Sequence, residues 1–250
     1  MLPIVCFIWE PVVFFFPFIA AVLAIKLRKE KFTKLFGKIA VSFIPSLIAF
    51  FLTATVILSP ENFVIMENAL EKNFGEECYS SCGLFVYKSS IASQFAFTTK
   101  LYRPEVFVRY FLIILIGFGP LFLLTFYTNF KTKVIFFQSF NNLLYPFLII
   151  LSPVIVMFAA MVDWGRVVNI SYTFSALFYF YLLKNNLIKI DLKKIEKKIS
   201  FISGKKIMLI ICFIIYAFGW NPKTLITGDV ASFPGYRIPY KSFKTFYSLK

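Results

Sequence analysis

Long apolar runs separated by short basic segments constrain this chain more than any other feature. Apolar residues make up 59% of its 250 residues, and only 16% are charged. A soluble domain carries about 25% charged residues, whereas a helix of about 20 apolar residues crosses the ~30 Å hydrocarbon core of a bilayer. We therefore expect one all-α, polytopic transmembrane domain rather than a soluble fold.

Six of the apolar runs are predicted to be transmembrane helices. The first run is too long for the core of a signal peptide and has no small-residue cleavage site after it, so we expect a true span that Glu10-Pro11 interrupts. No internal repeat and no second domain is visible in the sequence. The predicted spans are 3–25, 39–59, 108–128, 134–161, 167–183 and 207–220.

The distribution of Lys and Arg predicts the orientation of these spans. Segment 26–38 has six basic residues, segment 184–206 has eight, and segment 129–133 adds two more. The positive-inside rule places these segments in the cytoplasm. The outer loop 60–107, the outer tail 221–250 and both termini then lie outside. The bias towards Lys, Phe, Ile and Asn is typical of an AT-rich bacterial genome, so the membrane is predicted to be a bacterial inner membrane.

Two of the connecting segments carry a helix pattern of their own. Apolar residues recur at spacings of three and four over 188–202, with lysines on the other face. This predicts one amphipathic helix, within the cytoplasmic segment 184–206, that lies on the membrane surface. In the outer loop, Ser59 followed by Pro60 and Glu61 predicts a capped helix that continues to about Phe74.

The net charge of +15 does not indicate nucleic-acid binding. The basic residues cluster between the apolar runs, where anionic head groups of membrane lipids are their expected partners. The chain has no His, which excludes a histidine-dependent catalytic triad and argues against a zinc or haem site. Cys78 and Cys82 lie on the predicted outer side, where an oxidising compartment allows a disulfide, with two free thiols as the alternative.

An ionisable pair, Asp163 and Arg166, interrupts a nearly uncharged stretch from 134 to 183. Charges near bilayer depth are costly and usually mark function. The two residues share a helix face if the preceding helix continues through them, or line a tight outer turn if Gly165 breaks it. The structural alternative is an interfacial salt bridge with Trp164 as an aromatic anchor.

Other polar residues are candidates for substrate binding. Asn169 and Tyr172 continue a polar stripe into the fifth span. Glu10 lies in the first span, where a carboxyl is either a proton relay or general base, or a hydrogen-bond partner of a neighbouring helix. Arg103 and Arg109 cluster where the outer loop enters the third span, as an anion-attracting rim or as snorkelling side chains. In the outer tail, Arg237 could approach the same outer end of the spans as Arg103 and Arg109.

The motif Asp163-Trp164-Gly165-Arg166-Val167 resembles one found in bacterial polytopic membrane proteins of surface-polysaccharide loci. These are O-antigen-polymerase-like and lipid-linked-sugar glycosyltransferase-like proteins, in which an apolar helix leads into Asp-Trp-Gly-Arg-Trp and a polar-studded helix follows. Trp220-Asn221-Pro222 loosely matches their last segment. The resemblance covers about 134–222. Val167 stands where Trp is common, and six spans stand where polymerases have ten or more.

The resemblance implies transfer or polymerisation of polyprenyl-pyrophosphate-linked sugars on the outer face of the membrane. Arg166, helped by Arg103 or Arg109, would hold the pyrophosphate, and Asp163 would orient Arg166 or take the proton from the acceptor hydroxyl. No cofactor beyond the lipid carrier is expected, although a divalent metal at the pyrophosphate is compatible with this chemistry. The expected partners are membrane lipids, a lipid-linked oligosaccharide and other envelope-assembly proteins.

Two alternatives come from other classes of protein. Prolines and the Glu10-Pro11 interruption within the spans favour a transporter or flippase-like component, because such proteins use broken helices with polar centres. A non-catalytic scaffold subunit would instead carry all of its charges at interfaces.

Overall fold

A computed structural model describes residues 2–55, 59–75, 91–131, 140, 142–195, 197 and 206–218. Over these residues the chain is mostly helical, as the sequence predicts. The helices are α1 (Leu2–Ile8), a 3-10 segment (Glu10–Phe15), α2 (Phe16–Lys26), α3 (Phe32–Thr55), α4 (Pro60–Phe74), α5 (Ile91–Lys100), α6 (Pro104–Phe126), α7 (Leu144–Leu151), α8 (Val154–Ala160), α9 (Trp164–Lys184) and α10 (Lys206–Phe218).

The first predicted span is interrupted at Glu10-Pro11, as expected. Trp9 has an extended backbone (φ −148°, ψ 95°) between α1 and the 3-10 segment. Pro11 has no amide hydrogen and its ring opposes a helix interior, which explains why the chain cannot pass from α1 to α2 as one helix. The result is a discontinuous helix whose break lies close to the only carboxyl of this run.

The fourth predicted span consists of two helices, α7 and α8, joined at Ser152 and Pro153. The amide of Ser152 donates to Ile149 O at 3.3 Å, and that of Ile155 donates to Ser152 O at 3.1 Å. These bonds to the third preceding residue form a short 3-10 joint, as expected beside a proline. The predicted residues 134–139 lie outside the described part of the chain.

Two short strands are the exception to the all-α prediction. β1 (Thr128–Phe130) pairs antiparallel with β2 (Ile188–Ile190), with Asn129 opposite Lys189. The predicted amphipathic helix is therefore wrong over 188–190, and the chain becomes helical again only after Asp191. The physical reason is local: Asn186 has a left-handed backbone (φ 55°) that turns the chain after α9, and β2 then pairs with the strand that follows α6.

In the segment predicted to be the outer loop, α4 has the predicted cap. The Ser59 hydroxyl accepts a hydrogen bond from the amide of Asn62 at 3.3 Å, and Pro60 occupies the first turn. Gly75 ends the helix with a left-handed φ of 62°, a conformation that glycine adopts at little cost.

Ring contacts along α6 and α9 give the relative direction of these two helices. Tyr110 contacts Trp164, and eight residues later Phe118 contacts Tyr172. The two helices therefore run in the same direction. The β1–β2 pair follows both of them and joins their ends.

The helix α2 has the same direction as α9, because Phe15 contacts Phe174 and Phe18 contacts Phe178. Its neighbour α3 runs in the opposite direction, since it follows α2 after a short turn and returns along it. Two contacts define that return: Phe14 with Phe50, and Phe16 with Phe43.

The α7–α8 rod also runs against α6 and α9. Phe147 in α7 contacts Phe122 near the end of α6, and Phe158 in α8 contacts Trp164 at the start of α9. One end of the bundle therefore holds the α8–α9 junction and the start of α6, and we call it the Asp163 end. The other holds the α2–α3 turn and the strands, and we call it the ladder end.

Within the described residues, two helical stretches are long and apolar enough to cross a membrane by length and composition, Phe32–Thr55 and Val106–Phe126. The main core lies between α2, α6, α7, α8 and α9. Phe15, Phe147 and Met157 are completely buried where these helices pack together. This core fixes the α8–α9 junction against α6.

Candidate functional site

The candidate site is built on the break between α8 and α9. Helix α8 ends at Ala160, Met161 is extended (φ −116°, ψ 143°), and α9 begins at Trp164. Asp163 caps α9, because its Oδ1 accepts the backbone N–H of Arg166 at 3.2 Å. Of the two predicted arrangements, the structure has the tight turn, but Gly165 is buried within the first turn of α9 and does not break the helix.

Asp163 and Arg166 form an ion pair across this first turn. The Nε of Arg166 lies 3.2 Å from Oδ2 of Asp163, and the side chains of Arg166 and Asp163 are 59% and 29% exposed, respectively. One oxygen of Asp163 therefore holds the backbone and the other holds the guanidinium. A carboxylate engaged in this way is better suited to orient Arg166 than to remove a proton.

Trp164 anchors the junction. Its indole Nε1 donates a hydrogen bond to the carbonyl oxygen of Phe158 at 2.7 Å, and only 3% of the residue is exposed. The hydroxyl of Tyr102 donates to the same carbonyl at 3.2 Å. The rings of Tyr110 and Phe107 pack against the indole with centroid distances of 4.9 and 5.7 Å. Trp164 is therefore a buried anchor within the protein.

Burial also raises the pKa of the Tyr102 phenol above its ordinary value. The hydroxyl consequently keeps its proton throughout the neutral range and remains a donor to Phe158. This bond ties the segment before α6 to the end of α8. Together with Trp164, it fixes the position at which α9 begins.

Three exposed polar residues share one face of α9 at spacings of three and four: Arg166, Asn169 and Thr173. The Thr173 hydroxyl donates to the backbone oxygen of Asn169 at 2.9 Å, which holds this side chain against the preceding turn of α9. These three residues form the exposed polar stripe of α9. The stripe is continuous with the ion pair, as the sequence predicts for Asn169.

Tyr172 lies at the edge of the stripe and faces other helices. Its hydroxyl is hydrogen-bonded to that of Tyr216 in α10, and its ring contacts Phe118 edge to face at 5.5 Å. Tyr172 therefore has a clear packing role, and the structure gives Asn169 the better access to a ligand.

The remaining predicted site residues lie at the Asp163 end or outside the described residues. Glu10 is half-buried and opens the 3-10 segment, which packs against α8. Arg103 is exposed just before α6, next to Tyr102, and Arg109 lies within α6 next to Tyr110, another neighbour of Trp164. The packing on Trp164 thus brings the starts of α6 and α9 together. Arg237, Cys78 and Cys82 lie outside the described residues.

The sequence did not identify two partners that define this site. The first is the carbonyl of Phe158, a backbone acceptor that leaves no side-chain signal. The second is Tyr102. It lies just before α6, and nothing in the sequence around it indicates that its hydroxyl reaches α8. Only the arrangement of the helices brings these groups to Trp164.

Metal-binding side chains do not cluster in the part of the chain that the structure describes, where no group of three or more Cys, Asp or Glu residues could hold an ion. The groups that the structure places at the site are the guanidinium of Arg166, the carboxylate of Asp163 and the neighbouring polar residues of α9. No protein-family model, curated protein or solved structure matches the chain.

Proposed function

We propose that this chain is a multi-pass membrane protein of bacterial cell-envelope polysaccharide assembly. It polymerises or transfers polyprenyl-pyrophosphate-linked sugars at the outer face of the inner membrane. The observation that carries the proposal is the exposed guanidinium of Arg166, which Asp163 holds at the N-terminal end of α9. An anionic group is favoured at this position by the cation and by the positive end of the helix dipole.

Exposed apolar side chains support the membrane location. Large side chains of α3 and α6 point away from the protein, among them Val41 (65% exposed), Phe51 (61%), Val108 (60%) and Phe111 (65%). Apolar surface on this scale is unfavourable in water and favourable in lipid. Two helical stretches already have the length and composition to cross the bilayer.

The helix directions support six spans with the Asp163 end outside. The α2, α6 and α9 helices run in one direction and the α3 helix and the α7–α8 rod in the other, which is the alternation that successive spans require. The ladder end carries Lys26, Arg28, Lys131, Lys184 and Lys189, and the positive-inside rule assigns such an end to the cytoplasm. In this topology α10 is the sixth span.

Arg166 is suited to bind the pyrophosphate of a lipid-linked sugar. Its Nε contacts Asp163, and within the described residues it has no other ion-pair partner, so its two Nη groups remain to bind phosphate oxygens as a fork. When an acceptor hydroxyl attacks the anomeric carbon, the bond from that carbon to the pyrophosphate oxygen breaks and negative charge develops on the departing pyrophosphate, which takes up the hydroxyl proton directly or through water. A fixed cation at that point stabilises the transition state. Asn169 and Thr173 would contact the sugar from the same helix face.

The test is the length of the surface glycan in a deletion strain that expresses wild type, Arg166→Lys or Arg166→Ala at matched membrane abundance. We expect both variants to lose polymerised glycan, because lysine has a point charge in place of the planar fork. Arg28→Lys at the ladder end is the matched control and should behave as wild type. Normal glycan length with Arg166→Lys would overturn the assignment of Arg166 to pyrophosphate.

The discontinuous first helix favours a second candidate, a flippase-like transport component. Transporters bind substrate at discontinuous helices, and Trp9 interrupts the first helix next to the carboxyl of Glu10. Movement of a labelled lipid-linked sugar by the purified protein in liposomes distinguishes this function from sugar transfer. In a scaffold subunit, alanine at both Asp163 and Arg166 would change the abundance of the protein and leave the activity of its partners intact.

A further inference from the structure

We propose that a lateral groove between α2, α3 and the α7–α8 rod binds one acyl chain of an anionic glycerophospholipid from the cytoplasmic leaflet. The phosphate of this lipid lies at the α2–α3 turn, residues 27–31. This inference rests on the membrane location given under the proposed function, and it does not depend on the sugar-transfer reaction.

Two cavities form the groove. One has a volume of about 610 Å³ and the other about 330 Å³, and Pro17, Ala20 and Ile39 line both of them, so the two cavities adjoin. Along α3 the lining extends from Phe36 to Phe50, which at 1.5 Å per residue is roughly 21 Å. The groove therefore follows the helices from the ladder end towards the Asp163 end.

The packing of α3 explains why the groove exists. Near its end α3 packs against α1 and the 3-10 segment, whereas it makes fewer contacts with α2 along the groove. The wall that α2 contributes consists largely of Ala20, Ala21 and Ala24, whose side chains fill little of the space. The rings of Phe16 and Phe43, with centroids 4.5 Å apart, stack between α2 and α3 within the lining.

The size and chemistry of the groove favour a lipid chain over a helix. Its lining is almost entirely apolar, so water is an unfavourable occupant. A helix is about 10 Å wide with its side chains, whereas the stacked rings of Phe16 and Phe43, with centroids 4.5 Å apart, already join α2 to α3 within the lining, so a helix cannot enter between these two helices. One leaflet is about half of the ~30 Å hydrocarbon core, so an acyl chain fits within the length of the groove.

The charge of the α2–α3 turn identifies the head group. Arg28, Lys29 and Lys31 lie there at the protein surface, and the one acidic residue, Glu30, is paired with Lys38 at 2.7 Å. This pairing holds the pKa of the Glu30 carboxyl below its ordinary value, so Glu30 stays ionised and bound to Lys38. The turn keeps a positive charge that is complementary to a lipid phosphate.

A cavity of about 360 Å³ lies beside this turn, between it and the end of α9. Its lining includes Lys26, Arg28 and Lys29, together with Asn185. The lining of this space is polar and apolar in about equal parts, and the space lies at the same end of α2 as Ala24, a residue that lines the groove. These side chains can therefore bind the phosphodiester of a lipid head group while an acyl chain of the same lipid lies in the groove.

The experiment is native mass spectrometry of the detergent-purified full chain after incubation with phosphatidylglycerol or with phosphatidylcholine of the same acyl chains. We expect one retained phosphatidylglycerol and little phosphatidylcholine. Ala20→Trp fills the groove and should abolish retention, whereas Ala40→Trp, at an exposed position of α3 outside the groove lining, should not. Ile149→Trp fills the groove from the opposite wall, where Ile149 is 59% exposed, and serves if Ala20→Trp fails to fold.

A second set of variants tests whether the basic residues of the α2–α3 turn bind the lipid head group. Arg28→Gln with Lys29→Gln should reduce the preference for phosphatidylglycerol by roughly tenfold or more, because each basic residue near an anionic head group adds to its attraction. Lys72→Gln with Lys100→Gln removes the same charge elsewhere and should have no effect. Equal retention of both lipids, unchanged retention in both groove-filling variants, or preferential retention of an added polyprenyl phosphate would overturn the proposal. Glycan length, measured separately, reports on the sugar-transfer function alone.

Discussion

The indole Nε1 of Trp164 lies 2.7 Å from the carbonyl oxygen of Phe158 and joins the end of α8 to the start of α9. Carbonyls in the last turn of a helix lack a partner within the helix, and this one is satisfied by side chains instead. The buried indole thus holds in place the turn that carries Asp163. The stability of the Asp163 end should depend more on this donor than on the longer hydrogen bond from Tyr102 to the same carbonyl.

Trp164→Phe keeps an aromatic ring among Tyr102, Phe107 and Tyr110 but removes the donor. We expect the free energy of unfolding to fall by about 0.5–1.5 kcal/mol, the usual net contribution of one hydrogen bond, because Tyr102 still donates to the same carbonyl. Thermal unfolding in detergent measures the change. Tyr102→Phe removes the longer bond to the same carbonyl and should cost less. Equal stability of Trp164→Phe and wild type would contradict the anchoring role.

Asp163 has two separable roles, as the cap of α9 and as the partner of Arg166. Asparagine caps a helix about as well as aspartate, whereas alanine costs roughly 0.5–2 kcal/mol. We therefore expect Asp163→Asn to keep the stability of wild type and Asp163→Ala to lose it, as measured by thermal unfolding. Both variants should shorten the surface glycan, since neither orients Arg166 by charge. Full-length glycan in Asp163→Asn would show that the carboxylate acts only as a cap.

Asp191 provides a test that depends on pH. Its carboxylate accepts the backbone N–H of Lys194 and pairs with the Lys194 ammonium, both at 3.2 Å, and these contacts hold its pKa below the ordinary 3.8. We call these two contacts with Lys194 the Asp191 cap. Because the pKa is lowered in the folded protein, the cap contributes stability at pH values above the ordinary pKa, and this stability is lost as the pH falls through the pKa of the folded state. We expect the carboxyl carbon of Asp191 to titrate below pH 3.8 by NMR.

The control for this titration is Lys194→Gln, which keeps the backbone N–H and removes the ammonium. The midpoint should move part of the way back towards the ordinary value, because the backbone hydrogen bond is the larger cause of the shift. A midpoint in wild type at or above the ordinary value would mean that the cap does not form.

The turn into β2 depends on Asn186, which has a φ of 55°. Residues with a side chain are disfavoured in this conformation by roughly 1–2 kcal/mol, with Asn and Gly as the tolerated types. Asn186→Gly should therefore leave the thermal stability almost unchanged, and Asn186→Val should lower it. Lys189→Val is the control, since a β-branched residue suits an exposed strand position. Wild-type stability in Asn186→Val would contradict the observed turn.

Apolar runs predict the helices but not their ends. The second span, predicted from residue 39, begins at Phe32 as α3, because the helix continues into exposed turns that carry lysines. The fifth, predicted as 167–183, extends over Trp164–Lys184, since the Asp163 cap starts it earlier. Hydropathy detects the stretch suited to lipid, whereas caps and turns decide where a helix starts and stops.

The candidate site was predictable where it depended on local spacing. The Asp163–Arg166 pair and the position of Asn169 follow from the helix period, and the helix after Ser59 follows from its capping residues. The hydrogen bond between Tyr172 and Tyr216 could not be predicted, because it requires two helices that are far apart in sequence to be neighbours. The β1–β2 pair was missed for the same reason, since each strand has three residues and no local signal.

The β1–β2 pair also has a consequence for the biosynthesis of the protein. Asn129 pairs with Lys189, a residue that the ribosome adds 60 positions later. At roughly 5–20 residues per second, β1 is synthesised about 3–12 s before its partner. During this interval β1, at the end of α6, has no partner strand, because β2 is synthesised only after α9. Only when the strands pair are the ends of the third and fifth predicted spans joined. The first predicted span, which packs against α9, can also complete its packing only at that stage of translation.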